Sequence, residues 1–151
     1  MTSEIAQELS SAVDLIAQQL KRIEPAVAQH KPAADRWSIQ EVVGHLIDSA
    51  ANNHQRFVRA MQVDALTFPK YDQQRWVTDQ HYNLASWSDL VDLWRFYNIH
   101  LAHIIRNIPD SVLEVQCTIG PNDPVTLLFL IEDYLVHMQH HLKKIAERVT
   151  D

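Results

Sequence analysis

Apolar residues recur along this chain at intervals of three and four positions, the spacing of amphipathic helices rather than of strands. In the first segment five such steps lead from Ile5 to Ile23, and their mean length is 3.6 residues. The apolar positions are Ile5, Leu9, Val13, Ile16, Leu20 and Ile23. Pro25 and Pro32 follow and predict the end of this first helix.

A second helix is predicted to begin after Ser38, because Ser38 and Glu41 have the spacing of a capping box. Trp37 precedes the cap and can pack on Val42 as a hydrophobic staple. The apolar face of this helix then continues through Leu46, Ala50, Phe57 and Met61.

Two further helices are predicted in the C-terminal half of the chain. The third begins at Ser86, with Asp89 at the position of a second capping box, and extends to Pro109. The fourth begins at Asp123-Pro124, where a capping residue precedes a proline in the first turn. Its apolar face includes Leu127, Leu130, Tyr134, Met138, Leu142 and Ile145.

Residues 63–85 have no helical period and form a long connection that contains Trp76 and Tyr82. Such a connection is unusual in a compact bundle unless it covers something, so we interpret it either as a lid over a cleft or as a cap on the end of the bundle. Residues 112–118 could be extended, but they do not predict a sheet. No repeat or flexible linker divides residues 1–151, which predicts one all-α domain, a four-helix bundle.

Composition and charge restrict the class of protein. Lysine and arginine number 13 against 19 aspartates and glutamates, a formal net charge of −6. We therefore expect no nucleic-acid partner, and no membrane partner, because no apolar stretch approaches the roughly 18–20 residues that span a bilayer. The single Cys117 excludes an internal disulfide and is interpreted as a bystander. The N-terminus lacks the regions of a signal peptide, which predicts a cytoplasmic protein.

The chain contains nine histidines, and their positions on the predicted helices indicate different roles. On the fourth helix His137 and His141 lie on or beside the buried face, whereas His140 lies on the charged side. The i, i+4 spacing places Cβ atoms about 5–6 Å apart, so the imidazoles of His137 and His141 can converge on one metal ion. His100 and His103, an i, i+3 pair on the third helix, are interpreted as ordinary surface residues.

A third metal ligand would have to come from another helix, and the second helix offers His45 and His54. Periodicity alone favours His54 as the residue nearer the core, although a role at the edge of the core also explains it. A polar stripe on the same helix is either a solvated face or one wall of a polar cleft. This stripe consists of His45, Ser49, Asn52 and Arg56, with Asp48 at its edge.

Two segments, Trp37–Asp48 (WSIQEVVGHLID) and Tyr134–Leu142 (YLVHMQHHL), resemble the DinB/YfiT-like metalloenzyme superfamily. The resemblance covers most of the chain and implies a variant of the up-and-down four-helix bundle, commonly a homodimer, that binds zinc or nickel. It also implies a ligand set of one histidine near the start of helix two and both histidines of the helix-four motif. In this sequence these are His45, His137 and His141.

The characterised relatives include bacillithiol S-transferases and the mycothiol-dependent maleylpyruvate isomerase. The resemblance therefore implies a metal-dependent thiol S-transferase or hydrolase that acts on a small molecule, with a low-molecular-weight thiol as a candidate cosubstrate. Three neutral imidazoles that leave a fourth position open are typical of a catalytic metal site. Asp48 is a candidate general base or partner of a ligand, and Arg56 is a candidate for binding a substrate carboxylate or phosphate.

Two other interpretations stay open from sequence. The first is a non-catalytic, stress-related bundle that binds or senses a metal ion, and it would have its fourth coordination position closed by a protein side chain. The second is a helical interaction domain in which the histidines never meet.

Overall fold

The computed structural model describes residues 1–150 of the chain. In chain order its elements are α1 (Thr2–Lys21), α2 (Pro25–Gln29), α3 (Ile39–Ala60), β1 (Ala65–Phe68), α4 (Gln73–Asp79), α5 (Trp87–Arg106), β2 (Gln116–Ile119), β3 (Val125–Thr126) and α6 (Leu127–Thr150), with short 3-10 turns at Tyr82–Leu84 and Asp110–Val112. The helices α1, α3, α5 and α6 are the four long helices that the periodicity predicts. The predicted fold class, an all-α four-helix bundle, is confirmed.

The long helices do not all pack against their neighbours in sequence. The helix α1 packs chiefly against α5, and α3 packs against both α5 and α6. Trp94 of α5, Phe57 of α3 and Met138 of α6 are fully buried in the resulting core. The contact between α3 and α6 matters most for function, because these helices carry the histidines of both family-like segments.

The start of α3 is fixed by the predicted capping box. The Ser38 hydroxyl accepts a hydrogen bond from the backbone N–H of Glu41 at 3.0 Å, and the Glu41 carboxylate accepts one from the backbone N–H of Ser38 at 3.1 Å. Two orphan donors of the first turn are thereby satisfied. The cap thus sets where α3 begins and, two turns later, where His45 lies.

The predicted start of the fourth long helix at Asp123-Pro124 is wrong. Residues 125 and 126 form β3, and α6 begins at Leu127. The Thr126 hydroxyl accepts a hydrogen bond from the backbone N–H of Phe129 at 3.1 Å. A side-chain cap therefore exists three residues later than predicted, because residues 125 and 126 pair with a strand instead of entering the helix.

A small sheet, which the sequence did not predict, lies beside the bundle. The strand β1 pairs in parallel with β2, with Ala65 opposite Gln116, and β2 pairs antiparallel with β3. Cys117 and Ile119 of β2 point into the core, while Gln116 is exposed. Strands of two to four residues are too short to give a recognisable alternation in sequence. The sheet ties the long connection to the segment before α6.

None of the helices over residues 1–150 combines the length and apolar character needed to cross a lipid bilayer.

Candidate metal centre

Three histidines from two helices meet at one point of the bundle. His45 of α3 and His137 and His141 of α6 bring one ring nitrogen each within 4.8 Å of the others. The Nε2 atoms of His45 and His137 are 3.3 Å apart. The ring centroids of the three pairs are 4.6 to 5.2 Å apart, with the rings roughly perpendicular. We call these three residues the histidine triad.

The triad fits a divalent metal ion. Two nitrogen ligands about 2.0–2.1 Å from a tetrahedral ion lie about 3.3 Å from each other, which agrees with the spacing of His45 and His137. Imidazole suits zinc, nickel and other borderline metals. Among residues 1–150 the cluster comprises these three side chains, with no cysteine or carboxylate in it.

The environment keeps all three imidazoles in the neutral form that binds a metal ion. Burial, together with the positive charge that His141 and His137 would carry, lowers the pKa of His45 to about 3. Burial and the neighbouring His137, His140 and Lys144 lower the pKa of His141 to about 4. The pKa of His137 is also lowered, mainly by burial, although Asp133 opposes the shift. Each imidazole therefore has one unprotonated ring nitrogen at neutral pH.

These shifts predict that the metal-free protein loses stability in mild acid. Between the unfolded pKa of about 6.5 and the folded value of about 3 for His45, the unfolded chain binds more protons, so the free energy of unfolding falls as pH falls. The shift at His45, which depends in part on its two triad neighbours, corresponds to a loss on the order of 3 kcal/mol between pH 6.5 and pH 4. Chemical denaturation across this range should give a shallower pH dependence for His45→Gln than for the parent protein. Equal slopes would contradict the prediction, and His103→Gln, at an exposed position of α5, is the control.

The Trp37 ring packs against the triad at His45. The Trp37 ring lies 5.0 Å from the His45 ring, and His45 itself is only 1% exposed. The Nδ1 atom of His45 is buried and has no hydrogen-bond partner.

Next to His45, Gly44 faces the Tyr82 ring so closely that a Cβ at residue 44 would lie 2.2 Å from a ring carbon. Close packing of the long connection against α3 thus requires glycine at this position.

The polar stripe of α3 is buried and forms a wall of a polar interior, not a solvated face. Asp48 is 2% exposed, and its Oδ1 accepts hydrogen bonds from the Tyr82 hydroxyl at 2.6 Å and from Gln80 Nε2 at 2.8 Å. Its Oδ2 is buried without a partner. Burial raises the pKa of Asp48, and the two hydrogen bonds oppose that shift. Gln80 and Tyr82 belong to the long connection, which therefore covers this part of α3.

Arg56, at the far end of the stripe, lines a small cavity of about 170 Å³ together with His137, Asp133 and Tyr71. We call it the inner cavity. The Arg56 guanidinium lies 5.5 Å from the centre of the Phe68 ring, and its Nε is buried without a hydrogen-bond partner. The structure thus places Arg56 and the triad residue His137 on the walls of one cavity.

His141 opens onto a second space, the outer cavity, of about 580 Å³. Its walls include Trp37 and three cationic side chains that no motif in the sequence indicated, Arg36, Lys144 and Arg148. A signal for two of them exists in the sequence, since residues 137, 141, 144 and 148 follow one another at steps of 4, 3 and 4 and share a face of α6.

The other histidines lie outside the triad. His54 is partly buried, and its Nδ1 is 2.8 Å from the Tyr97 hydroxyl. The periodicity argument that favours His54 as a ligand thus identifies a residue at the edge of the core. His140 is exposed, as the helical wheel predicts, and His100 and His103 are surface residues, as interpreted from the sequence.

Cys117 is fully buried and, within the described chain, forms no disulfide. Burial raises the pKa of its thiol, which disfavours a role as a nucleophile.

Comparisons with known proteins give a consistent family. The sequence profile of the DinB superfamily matches residues 8–145. A protein of Oceanobacillus iheyensis named "Putative metal-dependent hydrolase OB0413" is 23% identical over 109 residues, which cover 72% of this chain and 62% of that protein.

The fold is similar to that of YfiT from Bacillus subtilis, described as "a probable metal-dependent hydrolase with an unusual four-helix bundle topology". The TM-score is 0.84 at 20% identity, over 97% of this chain and 85% of that structure. The match of the DinB superfamily profile over residues 8–145 means that the chain belongs to this superfamily.

Proposed function

We propose that this protein is a metal-dependent enzyme of the hydrolase or thiol S-transferase type, acting on a small molecule, with His45, His137 and His141 as the ligands of one divalent ion. The convergence of three neutral imidazoles from α3 and α6 carries this proposal. The names of the relatives support the hydrolase class. A divalent ion such as zinc or nickel would supply Lewis-acid activation of a water or of a low-molecular-weight thiol.

The remaining roles belong to side chains of α3. Asp48 has one oxygen fixed by Tyr82 and Gln80 and the other unpartnered. A fixed carboxylate with a raised pKa is suited to accept a proton. Arg56 is suited to orient a carboxylate or phosphate in the inner cavity, because its planar cationic side chain lines that cavity and forms no ion pair with a carboxylate among residues 1–150.

Access to the triad favours an enzyme over a closed metal-binding bundle. His137 borders the inner cavity and His141 borders the outer cavity, so small molecules could approach the triad. Over residues 1–150 the cluster contains no fourth histidine, cysteine or carboxylate that would complete the ligand set. A closed set is what the sensing alternative requires.

The direct test is elemental analysis of untagged protein purified without added metal. We expect one divalent ion per chain, lost in the variant with alanine at residues 45, 137 and 141 while the helical circular-dichroism signal persists. A folded protein that carries no ion and cannot be loaded with zinc or nickel would overturn the proposal.

A further inference from the structure

The outer cavity has a chemical character that the metal site alone does not explain. Three cationic side chains, Arg36, Lys144 and Arg148, share its wall with the triad residue His141. Two carboxylates, Asp35 and Glu147, also line it. Among residues 1–150, none of the three cations lies within 4.0 Å of a carboxylate oxygen. The cations therefore have hydrogen-bond donors available for a ligand.

These cations come from two parts of the fold. Arg36 belongs to the turn before α3, whereas Lys144 and Arg148 project from α6 one and two turns beyond His141. Arg36 and Arg148 line the same cavity, where burial lowers the pKa of Arg148 and the charge of Arg36 lowers it further. Like charges held together in a concave site repel one another, and a bound anion would relieve that repulsion.

Arg148 is positioned, not freely mobile. Its Nη1 donates a hydrogen bond of 2.7 Å to the backbone carbonyl of Trp37, and the residue is partly buried. The Trp37 ring in turn packs against His45. A guanidinium fixed in this way presents its remaining N–H groups in a planar fork, which matches the geometry of a carboxylate or phosphate.

We propose that the outer cavity binds an oxyanionic group, a carboxylate or phosphate, of a small-molecule substrate whose other end reaches the histidine triad past His141. The proposal rests on the proposed function for the role of the triad, and it adds the substrate class. The volume of about 580 Å³ lies in the range of small-molecule sites. Arg36 and Lys144, which are exposed, are the specificity-determining residues, while Arg148 also holds Trp37 in place.

The test is a titration of the metal-free protein, so that an anion cannot bind through a metal ion. Sodium succinate, inorganic phosphate and the neutral analogue succinamide are added at low ionic strength, and amide and indole signals are followed by heteronuclear NMR. We expect saturable shifts at Trp37 and at residues 144–148 with at least one oxyanion, and no such shifts with succinamide. The stronger of the two oxyanions identifies the group that the cavity prefers.

Matched variants distinguish binding in the outer cavity from nonspecific electrostatic attraction of the anion. Arg36→Gln and Lys144→Gln should each weaken the apparent affinity about fivefold, the scale of a partly exposed charge interaction. Lys143→Gln is the control and should leave the affinity unchanged. Lys143 is the exposed neighbour of Lys144 and lines the groove between α1 and α6 instead of the outer cavity.

Three results would overturn the proposal: no saturable shift, an equal effect of Lys143→Gln and Lys144→Gln, or shifts confined to the inner cavity around Arg56. The result is independent of the metal test. A protein that takes up a metal ion but binds no oxyanion keeps the proposed function and loses this inference. A protein that binds an oxyanion but takes up no metal ion keeps this inference and loses the proposed function.

Discussion

Replacing His141 with alanine is expected to lower the affinity for a divalent ion by at least about 100-fold, while the helical content stays unchanged. The loss of a hydrogen-bond partner of a ligand alone typically reduces metal affinity 10–100-fold, and loss of a ligand should do more. His141 is only partly buried, so its truncation should leave the core of α6 intact. Competition with a chromophoric chelator measures the affinity, and circular dichroism measures the fold.

The chain offers a closely matched control for this experiment. His140 is adjacent to His141 on the same helix, has the same chemistry, and is exposed outside the triad. His140→Ala should therefore bind the ion as the parent protein does. If both variants lost affinity to the same degree, or if neither did, the assignment of His141 as a ligand would be wrong.

Replacing Gly44 with alanine is expected to lower the free energy of unfolding by about 1–3 kcal/mol, the usual range for overpacking. Alanine favours a helix interior over glycine by about 1 kcal/mol, so propensity alone predicts the opposite sign. The steric effect should win, because the new Cβ would lie 2.2 to 2.5 Å from three atoms of the Tyr82 ring, including the ring carbon bonded to its Cβ. Displacing this ring would also break its hydrogen bond to Asp48. Chemical denaturation measures the change.

A double-mutant cycle with Tyr82→Ala isolates the cause of this effect. Once the ring is removed, Gly44→Ala should become neutral or stabilise the protein by up to about 1 kcal/mol. An equal loss of stability in both backgrounds would mean that contact with Tyr82 is not the reason for glycine at residue 44.

The helices could be predicted from sequence because each carries its own signal. The period of 3.6 in α1 and the capping box at Ser38 are local, and local interactions decide both. The i, i+4 spacing of His137 and His141 is likewise a property of one helix. These features therefore appear in the structure near the predicted positions.

The partner of that histidine pair could not be chosen from periodicity. The helical wheel ranks His54 above His45 because it assumes that the buried face of α3 is apolar. In the structure α3 buries a polar stripe as well, since Asp48 and Asn52 lie at 2% and 7% exposure. Only the resemblance to a family favoured His45. The rule that the buried face of a helix is its apolar face usually fails at such a buried polar wall, because function there overrides hydrophobic patterning.

The sheet and the outer cavity escaped prediction for a different reason. Both depend on segments far apart in the chain that meet in the fold: Ala65 pairs with Gln116 in the sheet, and Arg36 and Arg148 line the same cavity. No periodicity within one segment reports such a contact. Tyr82 lies in the long connection, for which the sequence leaves a lid over a cleft and a cap on the bundle end equally open, and its hydrogen bond to Asp48 favours the lid, because it holds the connection against the polar stripe of α3.

The separation of the triad residues along the chain has a consequence for biosynthesis. His45 and His137 are 92 residues apart, and two of the three triad histidines belong to the last helix of the described chain. A ribosome-bound chain cannot assemble the triad before residue 141 has emerged from the exit tunnel. Metal loading at this site would then follow translation of nearly all of these 151 residues, so the bound ion would mark chains that have been synthesised through α6 and have folded.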